Sequence, residues 1–164
     1  MAPGALQLVE ELVNTRDLET GSDVLDARWL AQRELGDDLE RMRAVREALR
    51  ALLLANNGRP LDPAAVRTLD AEGRRAGLAV RFDAGGRPAL DAPGGGIARL
   101  LAIVAHAQAD GSWARMKACP DEHCAWAFYD ATRNRSRTWC DMAICGNRAK
   151  ARAFRRRRAQ TGSA

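Results

Sequence analysis

Four cysteines constrain this chain more than anything else in it. Cys119, Cys124, Cys140 and Cys145 are its only cysteines, and all four lie in the last third. They form two pairs with the same internal spacing, C-x4-C, on either side of a fifteen-residue span, 125–139. Each pair can fold into a tight turn that aims two thiolates at one point. The span between them then brings the second pair round to close a tetrahedral shell. Zn²⁺ suits a closed thiolate shell best, with iron as its main competitor. Unrelated core thiols or disulfide cysteines would rarely fall in matched pairs. Met1-Ala2-Pro3-Gly4 lacks the basic and then apolar pattern of a signal peptide. We therefore expect a reducing, cytoplasmic setting, where thiols favour metal over disulfides. His123 offers a nitrogen inside the first pair, but four thiolates already complete the shell.

Charge is divided just as unevenly. The 164 residues carry a net charge of +5, yet residues 115–158 hold twelve Lys and Arg against four Asp and Glu. The remainder holds fourteen against seventeen. A slightly acidic body ending in a strongly basic segment is the profile of a polyanion-binding module attached to a separate domain. No apolar run in the sequence approaches the roughly 18 residues of a membrane span, so no membrane partner is expected.

The body reads as mainly helical. Leu6, Leu8, Val9, Leu12 and Val13 predict a short helix that stops near Asn14. Gly21-Ser22-Asp23 predicts the cap of a second helix, with Leu25, Trp29 and Leu30 as its stripe and Gly36 as its stop. Asp37 and Asp38 precede the longest helix, to about Ala55. There Leu39, Met42, Val45, Leu49 and Leu52 recur at helical steps, while Arg41, Arg43, Arg46, Glu47 and Arg50 fall mostly on other faces. Asp62-Pro63 opens a fourth helix with Val66 and Leu69 inward, ended by Gly73 or Gly77. Leu78 to Phe82 and Arg87 to Asp91, joined by Asp83-Ala84-Gly85-Gly86, predict a hairpin. Gly94-Gly95-Gly96 lacks the Lys-Ser/Thr of a phosphate loop and reads as a hinge before the most apolar helix, Ile97 to Ala109. His106 there reads as a core or boundary histidine. The boundary falls at Asp110-Gly111-Ser112.

The last segment predicts a lead-in strand from Trp113 to Lys117, a knuckle at Cys119–Cys124, and a hairpin with its tip at Asn134-Arg135-Ser136. A helix follows from Asn147. Trp126, Phe128, Trp139 and Phe154 read as a mini-core, Asn147 as a helix cap and Asp130 as a partner for a turn or an arginine. Knuckle, hairpin and helix in this order describe a treble-clef-type finger. A module so small depends on metal for its folding energy.

The run Cys140-Asp141-Met142-Ala143-Ile144-Cys145-Gly146-Asn147-Arg148-Ala149-Lys150 resembles the signature of the CGNR zinc-finger family. Cys119, Cys124, Phe128, Asp130, Asn134, Trp139 and the Arg-rich end support the resemblance, with Thr132 and Thr138 as departures from it. Leu12-Val13-Asn14-Thr15 and the helical layout resemble the ABATE domain that precedes this finger. The expected fold class is therefore mainly α. Residues 1–112 would form a helical ABATE-like domain with a small β-hairpin, and residues 113–164 a treble-clef-like zinc finger of hairpin plus helix with one structural Zn²⁺.

The resemblance implies a bacterial, stress-induced transcription regulator with a DNA-binding finger. Arg133, Arg135 and Arg137 on the hairpin, with Arg148, Lys150, Arg152, Arg155, Arg156, Arg157 and Arg158 on the helix, are the candidate nucleic-acid contacts, because a planar guanidinium forks onto phosphate. The alternative partner is RNA or the ribosome, where exposed aromatics such as Trp126 and Tyr129 would stack on bases. The body would serve homodimerisation or sensing of a small-molecule effector. A nuclease needs a His/Asp set on the finger helix, which offers only Arg, Lys, Ala and Phe after Asn147. No enzyme is expected.

Overall fold

The computed structural model describes residues 1–36 and 38–161. Among them are six helices and two two-stranded antiparallel sheets. Helix α1, Leu6–Val13, buries Leu6, Val9, Leu12 and Val13, the set that its three- and four-residue spacing places on one side. Asn14 follows as the expected stop.

Helix α2 is shorter than expected, Ala27–Gln32, and Asp26 caps it by accepting from the Trp29 amide at 2.7 Å. Asp23 is diverted from capping, because both its oxygens accept from the Arg46 guanidinium, at 2.7 and 2.8 Å. The helix also ends before Gly36, since Glu34 turns into the left-handed region at φ 54° and delivers Leu35 to the core. Helix α3, Leu39–Ala55, is the central element, and Asp38 caps it at the Arg41 amide. Asp37, its other expected cap, lies outside the described residues. Of the expected stripe, Met42, Val45 and Leu49 are buried and Leu39 and Leu52 half-buried; Leu53 is buried beside them, and so are Arg46 and Arg50, which the periodicity sets on other faces. The physical reason is local, because each guanidinium meets acceptors held inside the fold.

Helix α4, Pro63–Arg75, is capped by Asp62 at the Ala64 amide. Ala65 is its buried residue and Leu69 is half-buried, while Val66 is exposed rather than inward. Gly77, in the left-handed region at φ 69°, turns the chain into β1, Ala79–Phe82, which pairs with β2, Pro88–Asp91, in the register Val80 to Leu90. Helix α5, Gly95–Ala109, then crosses the core, and His106 lies on its exposed side. The glycines before and at its start make close contacts instead of a hinge. A Cβ on Gly96 would lie 2.6 Å from the Leu35 Cα, and one on Gly94 would lie 2.2 Å from the Ala76 carbonyl oxygen.

Helices α1, α3 and α5 enclose one hydrophobic core, completed by Leu25, Leu30 and Leu35. Trp113, Met116, Ala118 and Ala127 join the same core from beyond Ser112. Trp113–Arg115 forms one 3-10 turn in place of the expected strand, followed by β3, Met116–Ala118. It pairs with β4, Ala127–Tyr129, in the register Lys117 to Phe128. The last helix, α6, spans Asn147–Thr161. Among the described residues, no helix is long and apolar enough to cross a membrane.

Replacing Gly96 with alanine forces a methyl group against Leu35 backbone, and should cost about 2 kcal/mol in urea unfolding. Gly36→Ala, where nothing lies within 4 Å of the new methyl, should stay within about 0.5 kcal/mol of the parent.

Candidate metal centre

The metal centre is built on two turns of the same length. In the first, β3 ends at Cys119, whose amide donates to the Trp126 carbonyl at 2.9 Å. The amides of Cys124 and Ala125 both donate to the Asp121 carbonyl at 2.9 Å, and Ala125 closes the turn in the left-handed region, φ 45°. Strands β3 and β4 thus form a hairpin around the first cysteine pair. The hairpin expected around Asn134-Arg135-Ser136 is an irregular loop instead. Its amides and carbonyls are taken by Asp130 and Lys117, so no strand pairing develops. The fully buried Asp130 accepts from Lys117 Nζ at 2.7 Å, from the Thr132 amide and hydroxyl, and from the Arg137 amide. Lys117 spends its other two donors on the carbonyls of Arg135 and Arg137.

In the second turn, Asp141 accepts from the amides of Ala143 and Ile144 at 2.7 and 3.1 Å and starts a π-helical turn, Met142–Gly146. That turn delivers Cys145 to the amino end of α6. A Cβ on Gly146 would meet the Met142 sulfur and lie 3.3 Å from Trp139 Cδ1, so a larger residue there would displace the flexible end of Met142. Asn147 does not cap α6 by accepting, as expected; its side chain donates back to the Ala143 carbonyl.

The four sulfur atoms lie within 4.8 Å of one another, with Cys124 to Cys140 at 3.4 Å and Cys140 to Cys145 at 3.7 Å. A tetrahedron with metal–sulfur bonds of about 2.3 Å has edges of roughly 3.8 Å, so these positions fit one ion. All four cysteines are free of disulfides. Cys119 is held down at about 5, first by the hydrogen bond from the Cys124 thiol, while Cys145 is pushed up to about 12, first by burial. Four thiols this close cannot all ionise without a cation among them. His123 stands outside the shell, its exposed ring 3.8 Å from Glu122.

Two family models match the chain. The CGNR zinc finger covers residues 115–158, and the ABATE model, described as "Putative stress-induced transcription regulator", covers residues 6–111. The chain belongs to the ABATE family and carries its CGNR zinc finger. Comparison with curated proteins finds no match. The cysteine set holds one structural Zn²⁺, with Cys119, Cys124, Cys140 and Cys145 as ligands.

The ABATE body grips the CGNR finger through Asn14, Asn56 and Asn57, which read in the sequence only as helix stops, and through Arg50 of α3. The Asn14 amide donates to the Ala127 carbonyl at 2.9 Å and accepts from the Ala127 amide at 2.7 Å. Asn56 donates to the carbonyls of Trp113 and Met116, and Asn57 to those of Ala118 and Thr138. Arg50 reaches from α3 to the Ala125 carbonyl at 2.8 Å and the Val13 carbonyl at 2.7 Å. Asparagine just past a helix is an ordinary stop signal, and nothing in its spacing distinguishes one that also reaches a second segment.

The candidate arginines divide into two groups. Arg148 pairs with Glu19 at 2.6 Å, and Arg152 with the buried Asp121 at 3.0 Å. Arg137 lies over the Phe128 ring at 4.8 Å and donates to the carbonyls of Trp139 and Cys140. Arg133, Arg135, Lys150, Arg155, Arg156, Arg157 and Arg158 are exposed, with Arg158 over Phe154 at 5.8 Å. The expected mini-core is reduced to Phe128. Trp139 is half-buried, Trp126 is 38% exposed and Phe154 54%, because the body, not a cluster of aromatics, covers the hairpin.

Asp130→Asn leaves Lys117 buried without its counter-charge and should cost about 3–5 kcal/mol. The Lys117 partnership and the surrounding donors outweigh burial and hold the Asp130 carboxyl at about 2, below its ordinary 3.8. Its contribution is complete above pH ~4 and disappears as pH falls toward 2. The gap between parent and variant in urea unfolding should therefore be widest near neutrality. Chelation of zinc should release the hairpin from the shared core, seen as a red shift of tryptophan emission, and Cys119→Ser should show the same spectrum with zinc present.

Proposed function

We propose that this zinc-binding family member is a DNA-binding transcription regulator acting in a bacterial cytoplasm, as part of a stress response. Its finger engages the phosphate backbone, and its helical body serves dimerisation or effector sensing. One observation carries this reading. The exposed cations of the loop at 133–135 and of the outer length of α6 project from a scaffold pinned by metal at one end and by the body at the other. Cations held on a preorganised frame lose little freedom when they meet phosphate, and guanidinium groups suit it geometrically.

The two groups of arginines then take different roles. Arg148 and Arg152, paired with Glu19 and Asp121, orient α6 against the rest of the chain. Lys150 and the arginines from Arg155 onward supply the attraction, which is positional and largely independent of sequence. Regulators of this kind commonly bind as symmetric dimers, and the body is the part of this chain left for that contact.

The RNA reading depends on exposed aromatics. Tyr129 is half-buried against the core, and Trp126, the one of the two that is exposed, sits beside the body in a pocket with Glu10 and the Glu11–Arg33 ion pair, away from the exposed cations of α6. Duplex DNA is therefore the better-supported partner. We also read the chain as a binder and not an enzyme, since the finger helix pairs its arginines with acids that position it and offers no acid–base couple.

Fluorescence anisotropy with a labelled duplex tests this. About five neutralised phosphates should give a slope of log affinity against log salt of roughly −4 to −5. Arg155→Ala combined with Arg156→Ala should reduce that slope by about two. Binding that ignores salt would remove the proposal.

A further inference from the structure

The two metal-binding turns have the same length and opposite chemistry. The first presents Glu122 and His123 to solvent, a polar and acidic tip. The second presents Met142, 52% exposed, and Ile144, 51% exposed. Met142 lays its sulfur beside Gly146, yet about half of each of these side chains stays open to solvent. Their setting indicates what they meet. Arg133 and Arg135 stand exposed on the adjoining loop, and Arg137 donates to the carbonyls of Trp139 and Cys140 just before the turn, while Arg148 is held by Glu19. A second copy of this chain would bring the same cations against themselves, so self-association through this face is opposed by charge.

We propose that Met142 and Ile144 form an apolar wedge that enters the minor groove of duplex DNA and partly unstacks a base step, bending the duplex. This rests on the DNA reading above and adds the manner of contact. Methionine and isoleucine are among the residues that unstack base steps in bent minor-groove complexes, where neighbouring cations hold the phosphates on either side. Unstacking is unfavourable, so a wedge has to be rigid before it arrives. This one is: Cys140 and Cys145 tie both ends of its turn to the metal, the Asp141 carboxylate fixes the amides of Ala143 and Ile144, and Gly146 lets Met142 sit against the turn's own backbone. The Asp141 charge is directed at those amides. Arg148 and Arg152 are engaged by Glu19 and Asp121, and Arg137 by the carbonyls of Trp139 and Cys140, so the exposed cations left beside the tip are those of Arg133 and Arg135.

The test uses the zinc-loaded full chain and a roughly 30-base-pair A·T-rich duplex carrying a donor and an acceptor dye at its ends. The parent should raise energy transfer on saturation, reporting a bend. Met142→Ala combined with Ile144→Ala should keep one zinc per chain and the parent's salt slope, lose the rise in energy transfer, and bind about tenfold more weakly for want of apolar burial. Met142→Leu with Ile144→Leu should restore the bend. A parent that binds with the steep salt slope yet leaves energy transfer unchanged overturns the wedge and spares the DNA reading. So does a double-alanine variant that bends as well as the parent, or one that loses zinc while the leucine pair fails to bend. A parent showing no salt-dependent binding overturns both.

Discussion

A two-stranded hairpin cannot satisfy its own edges, and the rest of this structure follows from that constraint. Strands β3 and β4 are three residues each, too short to be stable alone, and their outer amides and carbonyls need partners away from water. The helical body supplies them from side chains. Asn14 acts as a substitute strand residue at Ala127, giving one hydrogen bond and taking another, while Asn56, Asn57 and Arg50 collect carbonyls along the other edge and at the turn. Amide side chains can do this because, like a peptide group, they carry a donor and an acceptor on one plane. Asn14 and Asn56 also end α1 and α3, so the helix ends and the placement of the finger are determined together.

Buried charge serves the same purpose at two further points. Arg46 is enclosed with Asp23, Glu47 and Thr15, and fixes the long loop between α1 and α2 against α3. Lys117 and Asp130 gather the irregular loop that follows β4. Lys117 and Asp130 give amides and carbonyls of their loop the partners a sheet would supply elsewhere, while Arg46 ties side chains of its loop to α3. The stability gained from such pairs is modest, but breaking one leaves a charge with no water.

The regular parts of this chain are readable in its sequence, and the metal site most of all, because matched cysteine pairs rarely arise except around a shared ion. Helices α1, α3, α4 and α5 follow from apolar spacing and from acids such as Asp38 and Asp62 ahead of them, and the hairpin of β1 and β2 from its turn residues. What stays hidden depends on tertiary contacts. Arg46 and Arg50 occupy positions that look like a solvent face, and only the acceptors facing them make burial tolerable. Gly94 and Gly96 read as freedom of movement, whereas they mark places where two backbones nearly touch. Asp23 reads as a cap until a guanidinium claims it. The loop from residue 131 to 139 has turn chemistry but no strands, since Asp130 and Lys117 absorb the groups that would have paired.

The charge along the finger has a direction. Four thiolates around one divalent ion leave negative charge in excess at the amino end of α6, the end where a helix favours an anion. Arg148 and Arg152 lie near that end but are matched by Glu19 and Asp121, and the arginines from Arg155 to Arg158 crowd the opposite end, where the helix favours cations. The module is thus polarised, with the thiolates at the amino end of α6 and the densest positive charge at its far end. A polyanion approaching it meets an electrical gradient before it meets any side chain. That gradient selects one heading out of the two along which a helix can be laid against a charged ridge.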